Sequence, residues 1–401
     1  MAGLAAEDAI VVPDQNLQNA GIEVIEGEVV GVDASDRMVT LAGGDTLGYD
    51  KLFLATGASP VLPPIEGRDL EGVLTLRGLP DACNIKAYLS EKKPKRVVFI
   101  GAGFITLEVA SLLAATVKEK MDITIVELMD RPLPLMLDGD MAALVKEHLE
   151  EKGLTVMTGE KVEKIVGKEG TVSGVVLASG KELPAEMVFM NIGTRPNVDL
   201  AKDIGLEMGQ FGIKVTPHQE TSDPHILAGG DCVEKLHFIT GKPVPGQLRG
   251  PAVIQGRLAA KRLAGYDIAF PGVLNAGGCQ FFERVATSTG LTEQEAAKEG
   301  FDTVSATVDS RSKHGMIPGV QPWRIKLVFD KKTQKLIGGQ IVAHAISSGK
   351  SIDTVNALIL GGKTISDLTT LMCACNPDIS SEPSLEPISI AGEQALQKLR
   401  G

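Results

Sequence analysis

The sequence has few cysteines, few aromatic residues and no excess of basic charge. Five cysteines in 401 residues do not make a disulfide scaffold, so a reducing compartment is expected. Forty basic residues against fifty-one acidic ones leave a net charge of −11, which argues against binding to nucleic-acid phosphates or to an anionic membrane surface. No apolar run approaches the roughly 20 residues that span a bilayer, and the first residues show no signal peptide. A cytoplasmic protein with no membrane or nucleic-acid partner is therefore predicted.

Glycine and proline are abundant, and they divide the chain into several folded parts. At roughly 100 to 200 residues per domain, the length predicts two to four domains. From residue 97 the pattern is strand, glycine-rich turn, helix (107–120) and strand, which is typical of a βαβ unit with parallel strands. After residue 270 it changes to alternating strands, the first at 279–289, followed by two helices. The six histidines are scattered without metal-ligand spacing, so no metal site is predicted.

The strongest local motif spans residues 97–108, where an apolar strand runs into G-x-G and then a helix. Gly101 permits a tight turn, and Gly103 lets a pyrophosphate approach the backbone at the helix N-terminus. Thr106 occupies the third fingerprint position, where Gly or Ala is usual, so the match is imperfect. Glu127, at the end of the next strand, can accept hydrogen bonds from both ribose hydroxyls and would repel a 2′-phosphate. NADH is therefore predicted over NADPH, and a glycine-rich turn without a ligand is the alternative.

Three further segments each have the pattern of a strand that ends in a turn: YDKLFLATG at 49–57, NIGTRPN at 191–197 and ILAGGD at 226–231. In this order around the fingerprint, they resemble the FAD-dependent pyridine nucleotide-disulfide oxidoreductase family. That family includes NADH oxidases, coenzyme A-disulfide and persulfide reductases, and NADH-dependent rubredoxin reductases. The likeness extends over nearly the whole chain, including GLTEQEA at 290–296 and IKLVFD at 325–330.

The resemblance implies an α/β fold with two Rossmann-like dinucleotide-binding domains and a C-terminal α+β dimerisation domain. The FAD-binding domain would be discontinuous, at about 1–80 and 198–268, with an NADH-binding domain at 81–197 and the dimerisation domain at 269–401. The implied cofactors are FAD and NADH, and the implied assembly is a homodimer. Hydride would pass from NADH through FAD to oxygen, to a disulfide or persulfide such as coenzyme A disulfide, or to a small redox protein.

The resemblance also implies which residues hold FAD. The turn formed by Ala55, Thr56 and Gly57 would close against the pyrophosphate and adenine side of FAD. Asp231, after Gly230, would bind the ribityl chain through its carboxylate. The alternative for Asp231 is a helix N-cap, which an Asp at that position could equally be.

For NADH, the resemblance points to the start of the helix after the fingerprint. Phe104 would cover the flavin face and move when nicotinamide stacks there. Ile105, the next residue, would also contact the cofactor, and Glu108 would bind the carboxamide. Gly193, in the NIGTRPN segment, is a further candidate cofactor residue. The alternatives are an apolar helix-start contact for Phe104 and an acid favourable to the helix dipole for Glu108.

The chain departs from the family at its start. A complete member has two dinucleotide fingerprints, but no G-x-G-x-x-G occurs before Ala20, and the strands from Ile22 correspond to a stretch inside the family's FAD domain. The first βαβ unit, typically roughly 30 or more residues, has no counterpart here. We expect either a truncated sequence or an incomplete cradle that binds FAD weakly or not at all. The alternative function is a non-catalytic or degenerate NADH-binding subunit that lacks its own flavin.

In many relatives the missing segment carries the redox cysteine, and no cysteine present takes that position. Cys83 and Cys279 are expected to be small buried hydrophobic residues. Cys373 and Cys375 precede a segment that some relatives present to the partner's flavin, but Asn376 stands where those relatives have histidine. Since an amide cannot act as general acid or base near neutral pH, dithiol chemistry of the glutathione-reductase kind is disfavoured. The hypothesis is exchange of Cys373 and Cys375 with a thiol substrate, and the alternative is two buried thiols at an interface.

Overall fold

The protein is a mixture of helices and short and long strands. The structure is a computed structural model, and it describes residues 14–117 and 120–400. In chain order, the helices α1 to α11 are Asp14–Asn19, Leu79–Lys92, Phe104–Thr116, Gly139–Glu151, Asp199–Asp203, Arg249–Leu263, Glu293–Lys298, Ile346–Gly349, Ile352–Leu360, Ile365–Thr369 and Pro387–Arg400. Within these residues, no helix has both the length and the apolar character needed to cross a bilayer.

The strands are short in the first part of the chain and longer in the last part. In chain order, β1 to β22 are Val29–Asp33, Met38–Leu41, Thr46–Gly48, Leu52–Leu54, Ala58–Pro60, Val73–Leu74, Arg96–Ile100, Asp122–Glu127, Thr155–Thr158, Val162–Lys168, Thr171–Leu177, Glu182–Pro184, Met187–Met190, Thr194–Pro196, Ile226–Ala228, Lys235–Leu236, Pro243–Val244, Gly277–Phe281, Arg284–Gly290, Thr303–Arg311, Pro322–Asp330 and Leu336–Ala343.

The described chain divides into two compact units. The first takes the chain as far as Ser59 together with Thr194–Val273, and the second takes Pro60–Gly193 together with the chain from Leu274 onward. The division into domains at 1–80 with 198–268, 81–197 and 269–401 stays a prediction. Residues 1–13, part of the stretch without a fingerprint, lie outside the described residues, as do two residues of the helix predicted at 107–120.

In the first unit, the buried strand β15 runs parallel to β4, which is partly buried. β4 pairs with β15 from Leu52 opposite Ile226 to Leu54 opposite Ala228. Since parallel strands end at the same edge of a sheet, the turns that follow β4 and β15 lie side by side. β1 and β2, ahead of them in the chain, form a hairpin, and the Asp33 carboxylate closes its turn by accepting the backbone N–H of Ser35 and of Asp36.

The second unit contains the predicted βαβ unit, and its strands are all parallel. The sheet has the order β6-β13-β7-β8-β9, with α3 connecting β7 to β8. Its central strands are buried on both faces, as their uninterrupted apolar runs predict. The rings of Phe99 and Phe189 stack with their centroids 4.6 Å apart between β7 and β13. This stack fixes the two strands whose carboxyl ends carry the candidate site.

The C-terminal part of the second unit is an antiparallel sheet with the order β18-β19-β22-β21-β20. The prediction of one strand at 279–289 is wrong: β18 and β19 form a hairpin that turns at Phe282, which has φ +50°. No Gly, Pro or Asn marks that turn, so the apolar pattern runs through it without a break.

Helix α11 is not among the helices predicted from the sequence. Pro387 begins it, and its buried face is lined by Ile388, Ala391 and Ala395.

A buried polar cluster joins the helical and the antiparallel parts of the second unit. Lys326, on β21, is 4% exposed, and its Nζ lies 2.6 Å from Glu293 Oε2, 2.9 Å from Asp140 Oδ1 and 3.3 Å from Asp138 Oδ2. Gln340 on β22 donates to Asp138 Oδ2 at 2.6 Å. These contacts tie the N-terminus of α4 to β21 and β22, so the parallel and antiparallel sheets belong to one compact unit.

Two glycines with positive φ allow a test of the antiparallel sheet. A Cβ on Gly290 (φ +72°), at the end of β19, would lie 2.2 Å from the carbonyl oxygen of Ile337, whereas one on Gly300 (φ +87°) would meet no atom within 4 Å. Alanine in the left-handed region costs about 1–2 kcal/mol, so we expect that cost alone for Gly300→Ala. Gly290→Ala should cost at least about 2 kcal/mol more, because a backbone must move. Equal thermal unfolding midpoints for the two variants would contradict this packing.

Candidate functional site

One candidate site lies in the second unit, where the parallel strands β13, β7 and β8 end at one edge. Gly101 follows β7, and its N–H donates to Val126 O at 2.8 Å. Gly101 has φ +93°, and a Cβ there would lie 2.8 Å from the carbonyl oxygen of Asn191 after β13. Only glycine fits this crossing without strain, as the fingerprint predicts.

Glu127, the last residue of β8, ties its strand to the glycine turn. The side chain is 7% exposed, and its Oε2 accepts the backbone N–H of Ala102 at 2.6 Å. Its Oε1 accepts the N–H of Met129 at 2.8 Å. Since each carboxylate oxygen can accept more than one hydrogen bond, both retain capacity for a hydroxyl donor. A carboxylate therefore lies next to the glycine turn, where the prediction of ribose binding requires it.

Gly103 and the first turn of α3 form an open backbone surface. Gly103 is the N-cap residue, in extended conformation, and a Cβ on it would meet no atom within 4 Å. The first N–H groups of a helix have no partner inside the helix, so this N-terminus suits a phosphate group. Phe104 packs partly against the core, and Ile105 is 37% exposed. Thr106 is fully buried with no partner for its hydroxyl, so the exception to the fingerprint is accommodated inside the helix–strand contact.

Glu108 lies one turn further along α3 and faces β18. Its carboxyl is half-buried, and burial raises its pKa, although the backbone N–H of Gln280 donates to it. Cys279, beside it on β18, is 4% exposed, and burial together with the Glu108 charge raises the pKa of its thiol to about 12. Cys279 is thus buried, as predicted, and unreactive at neutral pH. Cys83, on α2, is only partly buried.

The turn after β13 adds a residue that the sequence analysis does not single out. Asn191 donates its backbone N–H to Ile100 O at 3.2 Å, while its side-chain Nδ2 is buried without a hydrogen-bond partner. Buried donors are nearly always paired in folded proteins, so this amide beside Gly101 is available to a ligand acceptor. Gly193 follows with φ +114° and no atom within 4 Å of the position of a Cβ. The NIGTRPN segment is the signal, but nothing in it distinguishes Asn191 from its neighbours.

A second candidate site lies in the first unit, after the parallel strands β4 and β15. Thr56 Oγ1 donates to Asn197 O at 2.6 Å, and Asn197 Nδ2 donates to Thr56 O at 2.9 Å. The N–H of Asn197 donates to Gly57 O at 2.9 Å, where Gly57 has φ +70°. Ala55, first in this turn, is exposed. Asn197, the last residue of the NIGTRPN motif, therefore holds the A-T-G turn through three hydrogen bonds, so these two motifs are in direct contact.

Asp231 lies on the same edge, in a 3-10 turn that spans Gly230–Cys232. The alternative of a helix N-cap is wrong, because Gly229 is the N-cap and no side chain caps the turn. Gly230 has φ +82°, and its N–H donates to Gln255 Oε1 of α6 at 3.0 Å. The A-T-G turn and Asp231 are thus brought together by the pairing of β4 and β15, and their roles toward FAD stay predictions.

Cys373 and Cys375 lie in the segment between α10 and α11, and both are exposed. Their sulfur atoms are 3.9 Å apart, well beyond the roughly 2.05 Å of a disulfide, so both are free thiols. Partial desolvation and the adjacent Cys375 thiol raise the pKa of Cys373. Asn376 Oδ1 accepts the N–H of Asp378 at 2.9 Å, which is a local turn contact. Among residues 14–117 and 120–400, none buries the two thiols.

Comparison with known proteins gives two adjoining family matches. Residues 3–256 match the family described as pyridine nucleotide-disulphide oxidoreductase, and residues 278–386 match its dimerisation domain. The chain is 35% identical over 392 residues to the NADH oxidase of Methanocaldococcus jannaschii, a match that covers 96% of this chain and 86% of that protein. It is 34% identical over 391 residues to the NAD(P)H coenzyme A polysulfide/persulfide reductase of Pyrococcus horikoshii, with 96% and 85% covered.

A solved structure gives the same result. That of a NAD-dependent persulfide reductase from A. fulgidus superposes with a TM-score of 0.91 at 37% identity, covering 96% of this chain and 71% of that chain. These matches confirm the predicted α/β fold with a dimerisation domain, and they confirm the prediction of an oxidoreductase that uses FAD and NAD(P)H. The chain therefore belongs to the pyridine nucleotide-disulphide oxidoreductase family.

Proposed function

We propose that this protein passes hydride from NADH to FAD and then passes two electrons to a disulfide or persulfide. The position of Glu127 is the observation that supports NADH binding, the first step. Its carboxylate accepts a hydrogen bond from the backbone N–H of Ala102 in the glycine turn. A dinucleotide whose pyrophosphate lies at the N-terminus of α3 would place its adenine ribose at that carboxylate. A 2′-phosphate would meet the same negative charge, and this favours NADH over NADPH.

Around the nicotinamide end, Phe104, Ile105 and Glu108 would contact the cofactor, with Gly193 and the unpaired Asn191 amide at the neighbouring strand end. Glu108 has a carboxyl whose pKa is raised by burial, and it can accept a hydrogen bond from a carboxamide. Phe104 is only partly buried, so a ring movement at the helix start exposes little of the core.

The first unit supplies the residues that would hold FAD. Positive φ at Gly57 and Gly230 brings the backbone of both turns into conformations that leave room for a close ligand, and Asp231 adds a carboxylate acceptor for ribityl hydroxyls. When bound, FAD accepts hydride and returns two electrons to an acceptor. The protein's part is to bind and orient FAD and to keep the turns around it rigid. The hydrogen bonds between Asn197 and Thr56 keep the A-T-G turn rigid.

A sulfur acceptor is favoured by the exposed thiol pair. The thiolate of Cys373 or Cys375 would attack one sulfur of R–S–S–R, so that a mixed disulfide forms and RS⁻ leaves. The second cysteine would attack that mixed disulfide, release the other RS⁻ and form the Cys373–Cys375 disulfide. Restoring both thiols would take two protons from solvent and two electrons, which FAD would supply when bound. Two of the relatives named above are persulfide reductases, and this supports the same acceptor class. Oxygen is the second candidate, favoured by the relative named NADH oxidase.

The proposal extends to the assembly and its location. The match to a dimerisation domain at 278–386 supports a homodimer. Free thiols at all five cysteines support a reducing compartment such as the cytoplasm.

Anaerobic titration with NADH tests the proposal itself. Purified protein should be yellow, or become yellow when FAD is added, and about one NADH per flavin should bleach the flavin absorbance, because hydride transfer is a two-electron step. Re-oxidation by added disulfide should restore the colour. A colourless protein that takes up no FAD would instead support a non-catalytic NADH-binding subunit.

Substituting Glu127 tests the nucleotide site. Glu127→Gln should raise the KM for NADH about tenfold, since roughly 1.4 kcal/mol of ribose-binding free energy is lost. It should also reduce the preference of the protein for NADH over NADPH. Glu163→Gln, an exposed acid on β10 of the same unit, is the matched control and should change neither. If the two variants have the same NADH and NADPH kinetics, Glu127 does not bind the ribose.

Replacing both exposed thiols tests the acceptor step. Cys373→Ser with Cys375→Ser should lower turnover with a disulfide acceptor at least about tenfold, while bleaching of the flavin by NADH is unchanged. Cys83→Ser is the matched control. Unchanged turnover in the double variant would rule out this role.

The pH dependence tests the same step in the unsubstituted protein. The rate of disulfide reduction should rise from pH 7 to pH 9, because the raised pKa of Cys373 leaves little thiolate at neutral pH.

A further inference from the structure

Lys235 is a charged residue buried next to the Asp231 turn. It belongs to β16 and is 2% exposed, and its Nζ donates to Gly230 O at 2.6 Å and to Val233 O at 3.2 Å. Burial lowers the pKa of its ammonium group, and the negative charge of Asp231 opposes that shift. A buried ammonium group is unfavourable unless its N–H donors are hydrogen-bonded, and the two carbonyl oxygens of the turn supply acceptors for Lys235.

Gln255 holds the same peptide from the other side. It lies in the middle of α6 and is 1% exposed, and its Oε1 accepts the N–H of Gly230 at 3.0 Å. The N–H of Gly230 is therefore held by α6 and its C=O by β16. Gly230 directly precedes Asp231, so these two contacts fix the backbone from which the Asp231 carboxylate projects.

Two other glycines leave the space that this clamp needs. A Cβ on Gly246 would lie 2.4 Å from Lys235 Cδ, so only a residue without a side chain lets the lysine stem pass. A Cβ on Gly229 would lie 2.7 Å from Phe53 Cζ and 3.3 Å from Gln255 Cβ, so the turn packs closely on β4 and α6. The surroundings of Gly230 are thus built from three elements of the first unit, β4, β16 and α6, together with the loop that contains Gly246.

We propose that Lys235 and Gln255 are positioning residues for the flavin, which act by fixing the Gly230 peptide and so aiming Asp231 at the ribityl chain. This inference rests on the proposed binding of FAD to the first unit. Stability alone does not require a lysine here, because an apolar side chain of similar length fills the same space without the cost of a buried charge. The role of Lys235 should therefore be seen in flavin affinity and not in folding.

The test measures FAD affinity and apo-protein stability in the same variants of the full chain. Lys235→Met should weaken FAD binding, followed by quenching of flavin fluorescence on titration of the apo-protein, at least about tenfold. Its apo-protein should unfold at the same temperature as the unsubstituted protein or higher. Lys261→Met is the matched control, since Lys261 is exposed on α6, and it should bind FAD normally.

A double-mutant cycle separates positioning from folding. In an Asp231→Asn background, Lys235→Met should weaken FAD binding much less than it does alone, because both changes remove the same contact. Gly246→Ala gives a second route, since its methyl group displaces the lysine stem without removing the charge, and it should also weaken FAD binding.

The outcomes are distinct. If the unsubstituted protein binds no FAD, the proposed function fails, and this inference fails with it. If the unsubstituted protein binds FAD and Lys235→Met binds it equally well, or if the losses add in the cycle, the inference alone is overturned. If Lys235→Met does not fold, Gly246→Ala decides, and normal FAD affinity in that variant overturns the inference.

Discussion

Parallel pairing of strands is the constraint on which both candidate sites depend. Parallel strands end at one edge of a sheet, so residues far apart in sequence meet there without any direct link between them. In the second unit this edge brings together the glycine turn after β7, Glu127 and the turn after β13. In the first unit it brings together the A-T-G turn and Asp231. Side chains then only need to adjust positions that the backbone has already fixed.

Each of these turns is held by at least one polar side chain from another part of the sequence. Glu127 holds the glycine turn through Ala102, Asn197 holds Thr56 and Gly57, and Gln255 holds Gly230. A turn that binds a nucleotide cannot be packed on the side where the ligand lies. Hydrogen bonds to these side chains give the turns rigidity without filling that space, and such pre-organisation reduces the entropy lost on binding.

Much of the fold could be predicted from the sequence, because the apolar runs at β7, β8 and β13 and the glycines between them carry strong local signals. The hairpin at Phe282 could not, since its turn has no residue that favours positive φ. The position of Glu127 is predictable from the sequence, because the fingerprint fixes its spacing. The sequence does not predict the roles of Asn191, Lys235 and Gln255, because these roles depend on long-range contacts. Nothing in the sequence indicates that Lys235 is buried.

A crystal structure of the protein with NADH bound, determined without oxygen, would show whether Glu127 binds the adenine ribose. We expect the pyrophosphate at Gly101 and Gly103 and both adenine-ribose hydroxyls within about 2.7–3.2 Å of the Glu127 carboxylate oxygens. Those oxygens would keep their bonds to Ala102 and Met129. A nucleotide bound elsewhere, with Glu127 contacting only these two amides, would contradict the account.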